Sequence, residues 1–258
     1  MEAIKGLFPE ERRLEILKRA RQDGRVAVTG LSQEFGVSEV TIRTDLQVLA
    51  EQALLVRTHG GAVPAARMQD TSLTLRRQLQ VDEKKRIGAA AAARVANGEA
   101  IFLDTSSTAL VMARHLRGHR DLTVFTNSLA VSQVFLDAAG VTVVMPGGTL
   151  QRDTVSLIGV DGLEFLRRFN IHKGFFGAHG LSFPEGLTDV STTEAELKRH
   201  ILKMCREVIA ILDATKWGRI GMASFARLED LNRIITDASA PADLVERAAA
   251  AGIPIDQV

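Results

Sequence analysis

From residue 83 onward, short apolar runs alternate with helix-patterned stretches, and this alternation limits the fold more than any other feature of the chain. The runs are IFLD at Ile101 to Asp104, LTVF at Leu122 to Phe125, VTVVM at Val141 to Met145, KGFFGA at Lys173 to Ala178 and VIAILD at Val208 to Asp213. Such an alternation predicts an α/β domain built on a largely parallel sheet. Glu83 to Ala96 reads as an Ala-rich helix, in which the run from Ala89 to Ala93 is a good helix former rather than low-complexity sequence. With 46% hydrophobic residues over 258 positions, the chain has enough apolar side chains for a real core.

The first 63 residues follow a different rule. Leu14, Ile16, Leu17 and Ala20 fall at near-helical spacing between Arg12 and Gln22, and Asp23-Gly24 is a stop. A second helix is expected with Thr29 as its cap, Leu31 and Phe35 on its inner face and Gly36 as its breaker. Ser38 caps a third, in which Ile42, Leu46 and Leu49 repeat at i, i+4 and i+7. The opposite face of that helix carries Glu39, Thr41, Arg43, Thr44 and Gln47. Two short helices around a glycine turn, the second with a polar face, describe a helix-turn-helix whose second helix fits the major groove. Leu54-Leu55-Val56 can then pair with a return strand around Ala62-Val63, with the glycines of Arg57-Thr58-His59-Gly60-Gly61 permitting the turn. In such a wing Arg57 and His59 reach phosphate or the minor groove, while Ser38, Thr41 and Arg43 face the major groove.

Residues 64–82 lose the regular apolar period and read as a linker, with a helical start near Leu73 to Gln80, which leaves residues 83–258 as the second domain. The formal net charge of +1 supplies no basic field, so DNA binding has to come from the placement of charges rather than their sum. Cys205 is the only cysteine, which excludes an intrachain disulfide and fits a buried core position in a reducing compartment. The N-terminus shows no signal-peptide pattern and no run is long enough to cross a bilayer, so a cytoplasmic protein is expected.

In open α/β sheets, ligands sit beyond the carboxyl ends of the strands. IFLD leads into Thr105, Ser106, Ser107 and Thr108 at the start of a helix, and hydroxyls with free N–H groups there suit a phosphate. Thr126-Asn127 and Gly147-Gly148 follow the next two strands, Gly177 and Gly180 bracket His179, and Asp213 precedes Lys216. Asp104 and Asn127 suit sugar hydroxyls, and the hydroxyl loop with Lys216 suits a phosphate. Taken singly, Thr105 to Thr108 read equally as a helix cap, and Glu194 with Lys198 as a plain i,i+4 pair.

Together these stretches resemble the DeoR family of bacterial transcription regulators. RRLEILKRARQDGRVAVTGLSQEFGVSEVTIRTDLQVLAEQALLVRTHGGAV is similar to its winged helix-turn-helix. IFLDTSST, VFTNSLAV, MPGGTLQR, GFFGAHGL, GLTDVSTTEAELKR and ILDATKWG resemble its sensor domain in order. The resemblance implies a regulator, usually a repressor, of a sugar catabolic operon, released from operator DNA by a phosphorylated sugar or related metabolite. It implies a sensor fold similar to ribose-5-phosphate isomerase and coenzyme A transferase domains. Effector contacts then fall on Asp104, Thr105, Ser106, Ser107, Thr108, Thr126, Asn127, Gly147, Gly148, Arg152, Glu194, Lys198, Asp213 and Lys216. DNA contacts fall on Ser38, Thr41, Arg43, Thr44, Arg57 and His59. No metal, cofactor or catalytic residue is implied, and a homodimer or homotetramer is expected, because helix-turn-helix sites are paired half-sites.

The chain departs from the family pattern at three positions. Thr44 stands where a second consecutive arginine is common, Ser106 where glycine is common, which would restrict φ in the anion loop, and His179 where Asp or Asn is frequent. Two other readings stay open on the residues alone. Asp104, Glu194, Asp213 and Lys216 could supply the acid and base of an aldose–ketose isomerase, although such an enzyme has no need of a winged helix. A winged helix of neutral charge could also meet protein instead of DNA, a reading that a steep salt dependence would exclude.

Overall fold

The computed structural model describes residues 7–23, 25–51, 54–58, 60–64, 72–159 and 162–258. The chain divides into two compact units, Met1–Asp70 and Thr71–Val258.

The first unit holds α1 (Pro9–Asp23), β1 (Val26–Ala27), α2 (Val28–Phe35), α3 (Glu39–Glu51), β2 (Leu55–Thr58) and β3 (Gly61–Pro64). Ile16, Leu17 and Ala20 of α1, Leu31 and Phe35 of α2, and Ile42, Leu46 and Leu49 of α3 form its core. Gly36 ends α2 at φ 63°, a left-handed conformation that suits glycine. The Ser38 hydroxyl accepts the Thr41 N–H at 3.1 Å and so caps α3. The expected Thr29 cap is not made. Helix α2 starts at Val28 with Ala27 at the capping position, because the chain enters it straight from β1 and the Gly60 carbonyl accepts the Val28 N–H at 2.9 Å. The hairpin pairs Leu55 with Pro64 and Thr58 with Gly61, and β1 joins it as a third strand with Val26 opposite Ala62. A Cβ on Gly61 would lie 1.9 Å from the Val26 carbonyl oxygen, so only glycine admits that strand. Gly24, the expected helix stop, and His59 lie outside the described residues.

The second unit begins with α4 (Leu73–Arg76), α5 (Val81–Ala92), β4 (Ala100–Leu103), α6 (Ser107–His115), β5 (Leu122–Thr126), α7 (Leu129–Val134) and β6 (Val141–Val144). A hairpin of β7 (Thr149–Gln151) and β8 (Ser156–Ile158) and the short α8 (Leu163–Leu166) lead to β9 (Ile171–Phe176). Next come β10 (Gly180–Ser182), β11 (Gly186–Asp189), α9 (Thr192–Leu202), β12 (Cys205–Leu212), β13 (Ala223–Ala226), β14 (Arg233–Thr236), α10 (Ala242–Ala250) and β15 (Ile255–Gln257). Seven strands form one wholly parallel sheet in the order β15-β14-β12-β9-β4-β5-β6. Alternate residues feed two cores. Ile101, Leu103, Ile209 and Ile211 pack with Ile87 of α5 and Met112 of α6, whereas Phe102, Ala210 and Leu212 pack with Leu197 and Ile201 of α9. A smaller antiparallel sheet, β10-β11-β13, stands apart from the main one.

Within the span read as a linker, the described part is structured. Leu73 and Leu75 are buried, and the Leu73 N–H donates to the Asp153 carbonyl at 2.8 Å. Two apolar residues on a single helical turn are too few to show a period, which is why the sequence pattern does not reveal this packing.

The strand order reverses between β4 and β9: from β4 the chain builds outward through β5 and β6, and from β9 outward through β12, β14 and β15. The carboxyl ends of β4 and β9 therefore flank the crevice where an open sheet of this kind takes a ligand.

Candidate DNA interface and effector site

On α3 the buried stripe of Ile42, Leu46 and Leu49 leaves Ser38, Val40, Arg43, Thr44 and Gln47 exposed and Thr41 half-buried. The polar groups are lightly tethered. Arg43 donates to Glu39 at 2.7 Å, Thr44 donates to the Val40 carbonyl at 3.0 Å, and the Ser38 and Thr41 hydroxyls lie 2.9 Å apart. From the wing, Arg57 donates to the Gln47 side chain at 2.7 Å, which places the β2 arginine beside the face of α3. Exposed pairs of this sort are worth about 0.2–1 kcal/mol, so phosphate can displace them. Beneath this face, Asp45 accepts from Arg12 at 2.6 Å and from Arg13 at 2.8 Å, with Asp45 and Arg12 both buried. This triad ties α1 to α3 and was not legible as a site, because Asp45 reads in sequence as one more charge on a mixed helix.

At the reversal point, Asp104 closes β4. Its Oδ1 accepts the Ser106 N–H at 3.0 Å and its Oδ2 accepts the Gly177 N–H at 2.9 Å, bridging the ends of β4 and β9. Ser106 then caps α6 by accepting the Ala109 N–H at 3.0 Å. Thr105, Ser106, Ser107 and Thr108 are all buried at the N-terminus of α6, where the first N–H groups have no intrahelical acceptor. The expected restriction at Ser106 does not arise: its φ is −73°, open to any residue. What the serine needs is room, since a Cβ on Gly177 would lie 2.4 Å from the Ser106 Cβ.

Glu194 and Lys198, one turn apart on α9, are both buried, and each has other partners than a plain helix-surface pair would require. The Lys198 ammonium donates to the Gly177 carbonyl and to Asp189, each at 2.9 Å, and pairs with Asp104 at 3.0 Å. The ammonium thus joins the ends of β4, β9 and β11 by two hydrogen bonds and an ion pair. Burial alone would depress its pKa, but Asp189, Asp104 and Glu194 outweigh burial and push it up, so the ammonium stays charged. Burial would raise the Asp189 carboxyl, yet Lys198 holds it below the usual range. Glu194 goes the other way: burial raises its pKa, with Lys198 only partly opposing. Its carboxylate accepts the Ser156 hydroxyl at 3.3 Å, and Ser156 lies 2.6 Å from the Thr154 hydroxyl.

The remaining expected residues fall at varying distance from this cluster. Thr126 is buried and accepts the Ser128 N–H at 3.0 Å, while Asn127 donates its amide to the Leu157 carbonyl at 3.0 Å and so holds β8 against the end of β5. Gly147 and Gly148, at φ 80° and 119°, carry the chain from β6 into the β7–β8 hairpin. Arg152 is exposed at the turn of that hairpin, and among the described residues its guanidinium makes no ion pair with the Asp104 cluster. Asp213 is buried at the end of β12, accepts the Thr215 N–H at 3.1 Å and also takes the Thr215 hydroxyl. Lys216 stands half-buried on the same 3-10 turn.

Sequence reasoning passed over three residues of this region. Asp189 lies inside a block quoted for the resemblance but ends a strand, β11, too short to be predicted. Lys84 is buried and donates to the carbonyls of Arg76 at 2.7 Å and Leu79 at 2.6 Å; burial pushes its pKa down to about 8. Its signal was available, since it falls three residues before buried Ile87 on the apolar stripe of α5. Arg76, on α4, reaches the Thr105 carbonyl at 3.5 Å. Elsewhere, Cys205 is half-buried against the core rather than inside it, with burial pushing its thiol up to about 12, and buried Trp217 donates its indole N–H to Thr236 at 3.0 Å. Among the described residues no group of His, Cys, Asp and Glu could hold a metal ion, and no helix is long and apolar enough to cross a membrane.

Two family models match the chain: a DeoR-like helix-turn-helix domain over residues 12–67 and a DeoR C terminal sensor domain over residues 79–238. The HTH-type transcriptional regulator GolR of Listeria innocua is 34% identical over 250 residues, covering 96% of this chain and 98% of that protein. The glycerol-3-phosphate regulon repressor of Escherichia coli is 31% identical, over 90% of this chain and 92% of its own. The HTH-type transcriptional repressor GlcR of Bacillus subtilis is 32% identical, over 90% and 89%. Among solved structures, ribose 5-phosphate isomerase A of Methanocaldococcus jannaschii aligns over 53% of this chain and 54% of its own, with TM-score 0.39 and 16% identity. The eIF2B delta subunit of Chaetomium thermophilum aligns over 88% and 70%, with TM-score 0.43 and 12% identity.

Proposed function

The chain belongs to the DeoR family of transcriptional regulators, and we propose that it represses a sugar catabolic operon and leaves its operator DNA when a phosphorylated sugar or related metabolite binds the second unit. Ser38, Thr41, Arg43 and Thr44 read the major groove, and Arg57 and His59 take phosphate or the minor groove. The protein acts in the cytoplasm as a homodimer or homotetramer, matching the paired half-sites that helix-turn-helix proteins read.

The observation that carries the effector reading is the Asp104–Thr108 loop, which opens α6 at the point where the strand order reverses. Thr105 to Thr108 and the N-terminus of α6 take the phosphate, joined by Lys216, while Glu194, Asp213 and Asn127 take sugar hydroxyls. Asp104 and Lys198 frame the loop from behind. The Thr126, Gly147, Gly148 and Arg152 segment borders the same crevice through the β7–β8 hairpin. Turnover is not part of this reading. Asp104, a candidate base for isomerisation, already accepts the Ser106 and Gly177 N–H groups and pairs with the Lys198 ammonium, so taking up a proton there would weaken the contacts that hold the loop.

Fluorescence anisotropy of labelled promoter DNA next to this gene, titrated with protein and a panel of phosphorylated sugars, tests the reading. Release by one sugar phosphate and not by its unphosphorylated parent is the expected result. Isomerisation of any panel member by the purified protein, or absence of DNA binding at low salt, would overturn it.

A further inference from the structure

Arg76 is the last residue of α4, the first described helix after the wing, and its position 12 residues beyond Pro64 ties the chain leaving β3 to the effector crevice. Its backbone is fixed. Leu73 and Leu75 on either side of the turn are buried, and the Arg76 carbonyl accepts the Lys84 ammonium at 2.7 Å. Its guanidinium is the opposite. One Nη reaches the Thr105 carbonyl at 3.5 Å, long for a charge-assisted hydrogen bond, and Nε is buried with no acceptor among the described residues. Its charge is felt by Asp189, Glu194 and Lys84, so it sits within the electrostatic reach of the whole cluster.

A buried donor left unmade is costly, and here a second donor of the same guanidinium already points at the start of the hydroxyl loop, where a bound oxygen would complete it. The group that completes a guanidinium beside a hydroxyl loop and a helix N-terminus is an anion with several oxygens. We infer that Arg76 is a specificity-determining residue of the effector site, donating from Nε and Nη to the effector's anionic group and thereby fixing α4, the segment through which the winged unit is attached. This rests on the effector reading proposed above and extends it: the residue that senses the anion lies on the first helix of the second unit, 12 residues along the chain from Pro64 at the end of the wing, so occupancy acts on the segment that follows the winged unit in sequence. Effector binding then favours the state in which α4 is held, and a ligand lacking the anion shifts nothing, since it makes no differential contact.

The test uses the full chain, with inorganic phosphate as probe in a thermal-shift titration and the sugar-phosphate panel in the operator assay. Wild type is expected to gain melting temperature with phosphate. Arg76→Met is expected to bind phosphate about tenfold or more weakly and to hold operator DNA against effector, while Arg76→Lys, which keeps the charge without the fork, falls between. Arg77→Met, next to it and exposed, controls for loss of a nearby positive charge and should behave as wild type. Arg76→Met and Arg76→Lys that respond to phosphate like wild type would overturn the role of Arg76 and leave the effector reading standing. A wild type that neither phosphate nor any panel member moves would overturn both.

Discussion

Arg43 and Lys198 each meet a carboxylate at nearly the same distance, Arg43 to Glu39 at 2.7 Å and Lys198 to Asp189 at 2.9 Å, in opposite surroundings. The side chains of the first pair are 53% and 40% exposed; those of the second are 8% and 10% exposed. Water and salt screen the first, so it can open and re-form at little cost when a polyanion approaches. The second was desolvated when the chain folded, and its geometry is held by three acceptors. Loose, screened charges suit the DNA contact proposed for α3, and charges fixed in advance suit the small-molecule discrimination proposed for the crevice.

The largest effect that bears on this contrast is expected from Lys198→Met. Removing the ammonium leaves Asp104 and Asp189 as buried, uncompensated charges, and loss of one partner from such a pair costs about 3–5 kcal/mol. The sign with pH separates this from loss of packing. In the wild type the folded Asp189 pKa is depressed, so its contribution is present above the unfolded value near 3.8 and is lost as pH falls below it. In the variant Asp189 is buried without its cation, so the burial that Lys198 outweighs in the wild type raises its folded pKa, and stability increases as pH falls from 7 towards 5. Urea unfolding at both pH values reads the two slopes; equal slopes would mean that the buried cluster is no different in kind from the surface pair.

The first unit has its own buried cluster, and Asp45→Asn breaks the contrast from that side. With Arg12 left buried opposite an amide, about 3 kcal/mol is expected to be lost, confined to α1 and α3. Operator binding should fall with it, and the melting transition of the second unit should keep its phosphate response. A uniform loss in both units would show them to be one cooperative block.

Lys84 sharpens the comparison further: among the described residues this buried cation donates to two carbonyls, and the nearby charge of Asp213 only partly offsets its burial. Its folded pKa of about 8 lies below the unfolded value of 10.5, so folding releases a proton between those pH values and stability rises through that window. The rise amounts to about 3 kcal/mol at most. Lys84→Met should flatten it, as measured by denaturant unfolding from pH 7.5 to about 10, where the buried lysine is the group that loses its proton.

How far each region could be read beforehand follows the same division between local and long-range interactions. The apolar stripe of Ile42, Leu46 and Leu49, the Ser38 cap and the five strand cores are local patterns, and the structure reproduces them. Strand β1 was missed because two residues, Val26 and Ala27, have no periodicity, and their pairing depends on Gly61, far along the chain. Cap assignment failed at Thr29 for the same reason. The roles of Asp189, Arg76 and Asp45 follow from which ends the topology brings together, and no window of sequence contains both partners. The place of Asn127 after a strand is legible, but the bond from its amide to the Leu157 carbonyl, a partner 30 residues away, is not. Block order marks where the crevice lies, but which polar groups face a ligand and which brace the loop is settled only by folding.

The smallest effect is the sharpest test of the looser region. If the Arg43–Glu39 pair opens on DNA, Glu39 is then an unpartnered acid next to the phosphates and opposes binding, while Arg43 favours it. Glu39→Gln should therefore tighten operator binding several-fold while lowering stability by no more than about 0.5 kcal/mol, the worth of an exposed i,i+4 pair. Arg43→Gln should do the reverse to affinity at similar stability and reduce the slope of log affinity against log salt by about one if Arg43 lies on a phosphate. A slope left unchanged, with affinity lost only for certain operator sequences, would move Arg43 from the backbone to a base edge. Affinity unchanged in both variants would mean that this face of α3 does not meet DNA at all, and the contrast between an open, screened interface and a closed, desolvated one would lose its first member.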